Sequence, residues 1–377
     1  MTDNQQWQAP GGMPAAPPPP SGATAPAGYG PPPPGWTPPP KPGIIPLRPL
    51  TLGAILGGSF QALRRNPLPT LGPALVVSLV VAAIQAAGSA GLLTNIATQS
   101  SSNAYVDSSE AFSRVFGAFG GYLLSVLATV LLSLVATSIV QAMVTLSVAS
   151  GAVGERLRFG ALWRRMQGRR GAVVGWAFLL AGVALLVVVV VVGLLVLLGV
   201  AGGQAGAIAA VLLGVLVALG LVVVFSWLTT KLAFVPAAIV LERRSIRNSV
   251  ARSWSLTRGF FWRTFGIRLL VTVMIGVAAA IVTTPVQLIF SLATTLGSPN
   301  GSPDPSSMVG TLVVGTIVTQ AVSAVIGSIG LVITTATTAL LYIDVRMRSE
   351  GLDLDLARYV ELPAAARAAA PDPYGAR

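Results

Sequence analysis

The sequence predicts an all-α integral membrane protein with six transmembrane helices, and three observations support this prediction. Hydrophobic residues make up 53% of the 377 residues, whereas charged residues make up only 10%. Six apolar stretches each reach the roughly 20 residues that a helix needs to cross the hydrocarbon core. The basic residues fall almost entirely in the connectors on one side of these stretches. This composition excludes a soluble globular protein.

Residues 1–46 precede the first apolar stretch and are rich in proline, with runs at 17–20, 31–34 and 38–40. Such a composition cannot bury enough apolar surface to fold, so a disordered cytoplasmic tail with polyproline character is expected. The tail is either a ligand for a proline-binding partner or a solvated spacer. It lacks the features of a cleavable signal peptide, so the first span is expected to direct insertion.

A membrane domain is predicted over residues 47–356, followed by a second disordered cytoplasmic tail over 357–377. Its six spans are expected near residues 71–93, 121–148, 172–200, 205–232, 265–290 and 308–343. Three short connectors join the spans on the outer side. They are a polar loop at 94–120, a bare turn at 201–203 and a turn-rich loop at 297–307.

A basic amphipathic helix is predicted before the first, third and fifth spans. The spans thus form three hairpins, each preceded by a helix that lies in the cytoplasmic membrane interface. Thr51 and Ser245 are the predicted N-caps of the first and third of these helices. The first places Phe60 on its apolar face, whereas the third places Trp254 on an apolar stripe and Arg252 off it, in water or on lipid phosphates.

The three units share a spacing that indicates an internal repeat. In each unit an aromatic residue stands twelve positions before a glycine of the following span, namely Phe60 and Gly72, Trp163 and Gly175, and Trp254 and Gly266. The first and third units also share Ser59 with Ser253, Arg64 with Arg258, and Thr70 with Thr264. A threefold repeat is one interpretation. The other is that basic connectors before membrane helices resemble one another.

The distribution of charge predicts the topology. If the N-terminus is cytoplasmic, every basic residue except Arg114 lies on the cytoplasmic side. The positive-inside rule therefore predicts that both termini are cytoplasmic. Topology accounts for the net charge of +12, so no nucleic-acid partner is expected.

The cytoplasmic arginines are candidate contacts for anionic lipids, because each contributes about 1 kcal/mol against an anionic leaflet. The topology alone explains their presence equally well. The candidates are Arg64, Arg65, Arg164, Arg165, Arg169, Arg170, Arg258, Arg263 and Arg268.

Four glutamines are predicted at membrane depth, each on a different span. They are Gln85, Gln141, Gln287 and Gln320. They either line a polar path for a substrate or form hydrogen bonds between helices, worth about 1 kcal/mol each.

Catalytic chemistry has little support in the sequence. The chain has no cysteine and no histidine, and the predicted spans hold no aspartate or glutamate in their interiors. No metal, cofactor or catalytic residue is therefore expected. An enzyme would need a surface cluster such as Asp344 with Glu242 and nearby arginines, and ion pairing explains these residues equally well.

Three segments resemble a family of actinobacterial membrane proteins. They are RPLTLGAILGGSFQALRRN at 48–66, VLERRSIRNSVARSWSLTRGFFWRTFGI at 240–267, and LLYIDVRMRSEGLDLDL at 340–356. The chain is similar to the glycerophosphoryl diester phosphodiesterase membrane-domain proteins. The enzymes that give this family its name use a separate soluble barrel with histidine, so hydrolase activity is not implied. The resemblance implies a membrane module in a bacterial cell membrane.

The sequence thus favours a non-enzymatic scaffold or accessory subunit. Its candidate partners are membrane lipids, anionic ones among them, and proteins that bind the proline-rich tail or the basic cytoplasmic face. The alternative is a transporter or lipid-moving protein that uses a polar path between helices.

Labelling of single cysteines tests the predicted topology. Ser101→Cys and Ser302→Cys should react with a membrane-impermeant maleimide added to intact cells, because both lie in outer connectors. Arg164→Cys is the control and should react only after permeabilisation. Labelling of Ser101→Cys and Ser302→Cys from the cytoplasmic side alone would contradict the topology.

Overall fold

The computed structural model describes residues 43–101, 108–296, 305–363, 366–367 and 370–375. Within these residues the chain is helical, without a strand, which confirms the all-α class. Most of the proline-rich tail, at 1–42, and parts of two predicted outer connectors, at 102–107 and 297–304, lie outside the described residues. The helices are α1 (Leu52–Arg65), α2 (Pro67–Ser101), α3 (Ser108–Ala152), α4 (Phe159–Arg165), α5 (Arg170–Ala201), α6 (Gly203–Lys231), α7 (Val235–Leu241), α8 (Ile246–Arg258), α9 (Phe261–Leu296), α10 (Pro305–Glu350) and α11 (Leu352–Glu361).

Six stretches are long and apolar enough to cross a membrane, which confirms a multi-pass membrane protein. They lie in α2, α3, α5, α6, α9 and α10. With 46 residues and a rise of about 1.5 Å per residue, α10 is about 69 Å long. Because the hydrocarbon core is only about 30 Å thick, a large part of α10 lies outside it.

The connectors that were predicted on the outer side are shorter than expected. The stretch at 94–120 was predicted to be a loop, but α2 continues to Ser101 and α3 begins at Ser108. Residues 94–101 and 108–120 contain no proline, so the helical hydrogen bonds continue through both of these parts. The turn between α5 and α6 is confirmed as a bare one, since only Gly202 separates them. A Cβ on Gly206 would lie 2.5 Å from the carbonyl oxygen of Leu198, so the two helices meet too closely there for a side chain.

α10 is the central helix of the packing. It contacts α9, α2, α3 and α1, while α2 also packs on α3, and α5 packs on α6. The most apolar windows of α5 and α6 bury none of their residues inside the protein. In a membrane these faces are in contact with lipid, which is as apolar as the side chains themselves.

The short helices and the adjoining ends of the spans form one contiguous layer. Arg65 Nη2 donates to the carbonyl of Gly154 at 3.2 Å, and Arg169 Nη1 donates to the carbonyl of Arg244 at 3.4 Å. These contacts join connectors that are far apart in the chain. We call this layer, made of residues 43–66, 150–170, 232–263, 340–363, 366–367 and 370–375, the charged layer.

The predicted N-cap residues of α1 and α8 stand at those positions in the structure. The Thr51 hydroxyl accepts a hydrogen bond from the amide of Ala54 at 3.2 Å and caps α1. Ser245 is the N-cap residue of α8, although its side chain makes no capping bond. Gly351 has φ +66°, in the left-handed region where glycine is favoured, and follows the last residue of α10.

The buried faces of α1 and α8 include small and polar residues beside apolar ones. α1 buries Ile55, Gly58 and Ser59 and leaves Phe60 exposed, and α8 buries two serines, a threonine and a leucine. A Cβ on Gly58 would lie 2.9 Å from the side chain of Leu340, so α1 approaches α10 closely. Small residues permit this approach, whereas a large apolar residue can face lipid at no cost.

Both predicted tails reach into the packed structure. The Ile44 amide donates to the carbonyl of Gly151 at 2.9 Å, and Ile45 is buried, so packing begins before residue 46. At the other end, α11 continues to Glu361 and Tyr374 is buried. Isolated apolar residues in a proline-rich or alanine-rich context have no periodicity, so the sequence pattern did not indicate them.

Candidate functional site

The last three turns of α10 present two ionic faces. Helical spacing brings Tyr342, Arg346 and Glu350 onto one side, because they are four residues apart. Asp344 and Arg348, also four apart, are offset from them by two residues, which is more than half a turn. One helix therefore binds different connectors on two sides.

Asp344 is fully buried and organises the first face. Its Oδ1 accepts a hydrogen bond from the Leu50 amide at 2.7 Å and another from Arg348 Nε at 3.0 Å. Arg263 Nε donates to Oδ2 at 3.1 Å. Both guanidinium groups also donate to the Leu50 carbonyl, Arg263 at 2.7 Å and Arg348 at 2.9 Å. One carboxylate thus ties the entry to α1, the start of α9 and the end of α10 together.

Glu242 organises the second face, and its side chain is fully buried. The Tyr342 hydroxyl and Arg252 Nε, at 3.0 Å, donate to Oε1. Arg244 Nε donates to Oε2 at 2.5 Å, and Arg346 Nη1 lies 3.6 Å from Oε1. Three hydrogen-bond donors and a further guanidinium group, from three segments, therefore surround one carboxylate.

Glu350 closes this second face into a ring. Its Oε1 lies 2.5 Å from Arg252 Nη2, and its Oε2 accepts from Arg346 Nε at 2.9 Å. Arg252 and Arg346 thus each bridge Glu242 and Glu350. Arg252 was expected in water or on lipid phosphates, but here it points inward, because two carboxylates lie on that side of α8.

A strained backbone position precedes α8. Glu242 follows the last residue of α7, and the next residue, Arg243, has φ +55°. A non-glycine residue rarely adopts this left-handed conformation, which costs of order 1 kcal/mol. The turn brings Arg244 back beside the carboxylate two residues earlier.

The environment of Glu242 controls its ionisation. Burial by itself would raise the pKa of this carboxyl group. The hydrogen bond from Tyr342 and the charges of Arg346 and Arg252 outweigh burial and hold the pKa below its ordinary value of 4.5. Burial likewise lowers the pKa of Arg252, but Glu242 and Glu350 outweigh it and raise that pKa. An ionised carboxylate surrounded by donors is a weak base at neutral pH, so the geometry favours a structural role.

The C-terminal segment is held by a third set of contacts. The Tyr374 hydroxyl donates to the carbonyl of Ala149 at 2.9 Å, and its own carbonyl accepts from Arg346 Nη1 at 3.0 Å. Asp372 lies 3.8 Å from Arg165. Burial raises the pKa of the Tyr374 phenol, so it stays protonated and keeps its donor. The segment thus joins α3 to the Glu242 ring.

The nine candidate lipid contacts fall into two groups. Six donate a hydrogen bond to a protein oxygen: Arg65, Arg165, Arg169, Arg170, Arg263 and Arg268. The other three are exposed and make no hydrogen bond or ion pair within the described part of the chain: Arg64, Arg164 and Arg258. The second group is free to bind a partner.

A cavity of about 580 Å³ lies between α3, α5, α6, α9 and α10. Gln141 and Arg268 line it, whereas Gln85, Gln287 and Gln320 are not among its lining residues. Gln287 is exposed, and Gln85 and Gln320 are partly buried elsewhere. The four glutamines are therefore not brought together at this cavity.

The sequence indicated Glu242 and Asp344 only as a possible surface cluster, and it gave no sign that Arg346, Tyr374 and the backbone of Leu50 join them. One signal was available, because Glu242 is the only acidic residue between Glu155 and Asp304. A single acid within a strongly basic stretch is a candidate buried partner for the bases.

Residues 50–342, more than three quarters of the chain, match the family model of a domain of unknown function, DUF7847. The matched range contains all or most of every span and includes Glu242, and Asp344 follows two residues after its end. No curated protein and no solved structure matches this chain.

Replacing Asp344 should destabilise the protein. Asp344→Asn leaves Arg263 and Arg348 without a carboxylate, and breaking a buried pair of this kind costs about 3 kcal/mol. The unfolding temperature of the full chain in nanodiscs should fall accordingly. Asp353→Asn is the matched control, because Asp353 makes no ion pair within the described residues. Equal shifts for the two variants would contradict the role of Asp344.

Acid should weaken the Glu242 ring. Because the folded-state pKa lies below 4.5, Glu242 contributes stability above that pH and loses it as the pH falls through the folded-state value. The wild type should therefore be more stable than Glu242→Gln at neutral pH, and the difference in unfolding temperature should shrink below about pH 4. A difference that stays constant from neutral to acidic pH would contradict this linkage.

Proposed function

This chain belongs to the DUF7847 family, and we propose that it is a non-enzymatic scaffold or accessory subunit of a membrane assembly. One observation carries the proposal: buried carboxylates fix the connectors into one layer while leaving some arginines of that layer exposed. Asp344 and Glu242 together engage five arginines, whereas Arg64, Arg164 and Arg258 remain without a protein partner in the described residues. A rigid layer holds such exposed cations at constant spacing.

The exposed arginines define the kind of partner. Each contributes about 1 kcal/mol against an anionic leaflet, so together they favour anionic lipid or an acidic surface of a protein. The charged layer is cytoplasmic in this proposal, with both termini on the same side of a bacterial cell membrane. The proline-rich tail would then extend from this layer toward soluble partners.

In this proposal the membrane domain consists of three hairpins, each preceded by an interfacial helix. The repeat-related residues Ser59 and Ser253 are both buried, and each makes a hydrogen bond outside its own helix. The related pair Arg64 and Arg258 is exposed in both units. Equivalent residues in equivalent environments support a repeat rather than a chance likeness of basic connectors.

The resemblance to glycerophosphoryl diester phosphodiesterase membrane-domain proteins rests on the segments at 48–66, 240–267 and 340–356. These are the segments joined by the two carboxylates, which bind Leu50 and Arg263 on one side of α10 and Arg252 on the other. The shared feature would therefore be the ionic layer and not a hydrolase site.

The cavity favours a second candidate function, movement of a polar or amphiphilic substrate. Its lining includes Gln141 and several hydroxyl side chains. A fluorescent-lipid scrambling assay in proteoliposomes tests this candidate, and Gln141→Leu should then slow the movement of lipid.

The scaffold proposal is tested by replacing the exposed cations. The full chain is extracted from native membranes into nanodiscs, and the retained proteins and lipids are identified by mass spectrometry. Replacing Arg64, Arg164 and Arg258 together by glutamine should remove a stoichiometric protein partner or an enriched anionic lipid class. Replacement of the same three by lysine is the matched control and should retain it. The same retained set for the wild type and both variants would contradict the proposal.

A further inference from the structure

The cavity lies in the part of the membrane helices next to the charged layer. Arg268 is seven residues beyond the first residue of α9, or about 10 Å along that helix. From α5, residues 173–184 contribute, again close to the start of that helix, and from α6, residues 225–229, close to its end. A cavity at this depth is within reach of lipid headgroups and of the upper part of their acyl chains.

Arg268 makes one hydrogen bond and no ion pair among the described residues. Its Nη1 donates to the carbonyl of Thr229 at 2.8 Å. No carboxylate lies within ion-pair distance of it in the described chain, although Arg263, one turn and a half earlier, has Asp344. A guanidinium group carries five donors in a planar fork. Arginine at such a depth is costly unless it is paired, so its free donors call for an anion.

The cavity wall next to α3 and α10 is polar. Its hydroxyl residues include Ser138, Thr145, Thr334 and Thr338, and each donates to a carbonyl of its own helix. Their protons are thereby occupied, and the oxygens remain as acceptors. Such a wall can accept hydrogen bonds from water or from the hydroxyl groups of a lipid headgroup. The negative charge of that headgroup would lie against Arg268.

The opposite wall is apolar. It includes Val173, Trp176 and Leu180 of α5 and Phe225 of α6. The cavity is partly open, and the neighbouring faces of α5 and α6 are exposed to lipid. A ligand that satisfies both walls has an anionic, hydroxyl-bearing head and an apolar chain.

We propose that this cavity is a binding site for an anionic phospholipid, with the headgroup phosphate on Arg268 and an acyl chain along α5. The planar guanidinium fork matches two phosphate oxygens. Free phosphate offers the same anion, but it satisfies neither the apolar wall nor the depth of the site. This site is separate from the exposed arginines, so it stands or falls independently of the scaffold proposal.

The test measures one tightly held lipid per chain. The full chain is reconstituted with vesicles of phosphatidylglycerol and phosphatidylcholine, extracted in mild detergent, and analysed by native mass spectrometry. The wild type should retain one phosphatidylglycerol and no phosphatidylcholine. Arg268→Gln should lower this retention about tenfold, as expected for loss of a charged hydrogen bond. Arg247→Gln is the matched control and should retain the lipid, since Arg247 is exposed and does not line the cavity.

A second variant keeps the test decisive if Arg268→Gln does not fold. Ala181 lines the cavity on α5, so Ala181→Phe fills it while Arg268 remains. Loss of the retained phosphatidylglycerol in Ala181→Phe supports the site. Retention equal to the wild type in Ala181→Phe, or in a folded Arg268→Gln, overturns it.

Inorganic phosphate distinguishes the two sources of the anion. Added to the delipidated chain in detergent, it should not raise the unfolding temperature, whereas phosphatidylglycerol should. An increase with inorganic phosphate as large as with the lipid, and lost in Arg268→Gln, would show a site for a free anion and overturn the lipid proposal.

Discussion

The structure depends on the burial of two carboxylates at the end of its central helix. Asp344 and Glu242 are withdrawn from water, and a buried carboxylate is tolerated only when donors replace its hydration. Five arginines, one tyrosine and one backbone amide surround the two carboxylates. Because these groups come from α8, α9, α10 and the connectors that precede α1 and α8, these segments must all be in place before the carboxylates can be buried.

Apolar burial also holds the charged layer, whose fully buried side chains include Ile45, Leu50, Leu162 and Phe234. Beside a membrane, however, the exposed apolar side chains of α1 and α8 can contact lipid as well as protein, so apolar burial alone gives less preference for one arrangement of the connectors. Ion pairs and hydrogen bonds have direction and defined partners, and they select one arrangement. The close approaches at Gly58 and Ser59 then follow, since α1 can lie against α10 only where its side chains are small.

The same charges divide the arginines by role. Those facing Asp344 and Glu242 are neutralised inside the protein and cannot serve a ligand. Arg64, Arg164 and Arg258 remain at the exposed side of the layer, and Arg268 remains at the cavity with a carbonyl as its one hydrogen-bond partner among the described residues. These four arginines are the best candidates for binding an anion, because a cation without a carboxylate partner gains the most from it.

The sequence by itself determined the six membrane helices and the Thr51 cap. These features depend on composition or on residues within one helical turn. Only the tertiary structure decided that Leu50 binds Asp344, 294 positions away, that Arg252 points inward, and that Arg268 lines a cavity. Such contacts depend on which helices are neighbours. The apolar stripes that usually identify the buried face carry no such information in a membrane, because lipid and protein interior are equally apolar.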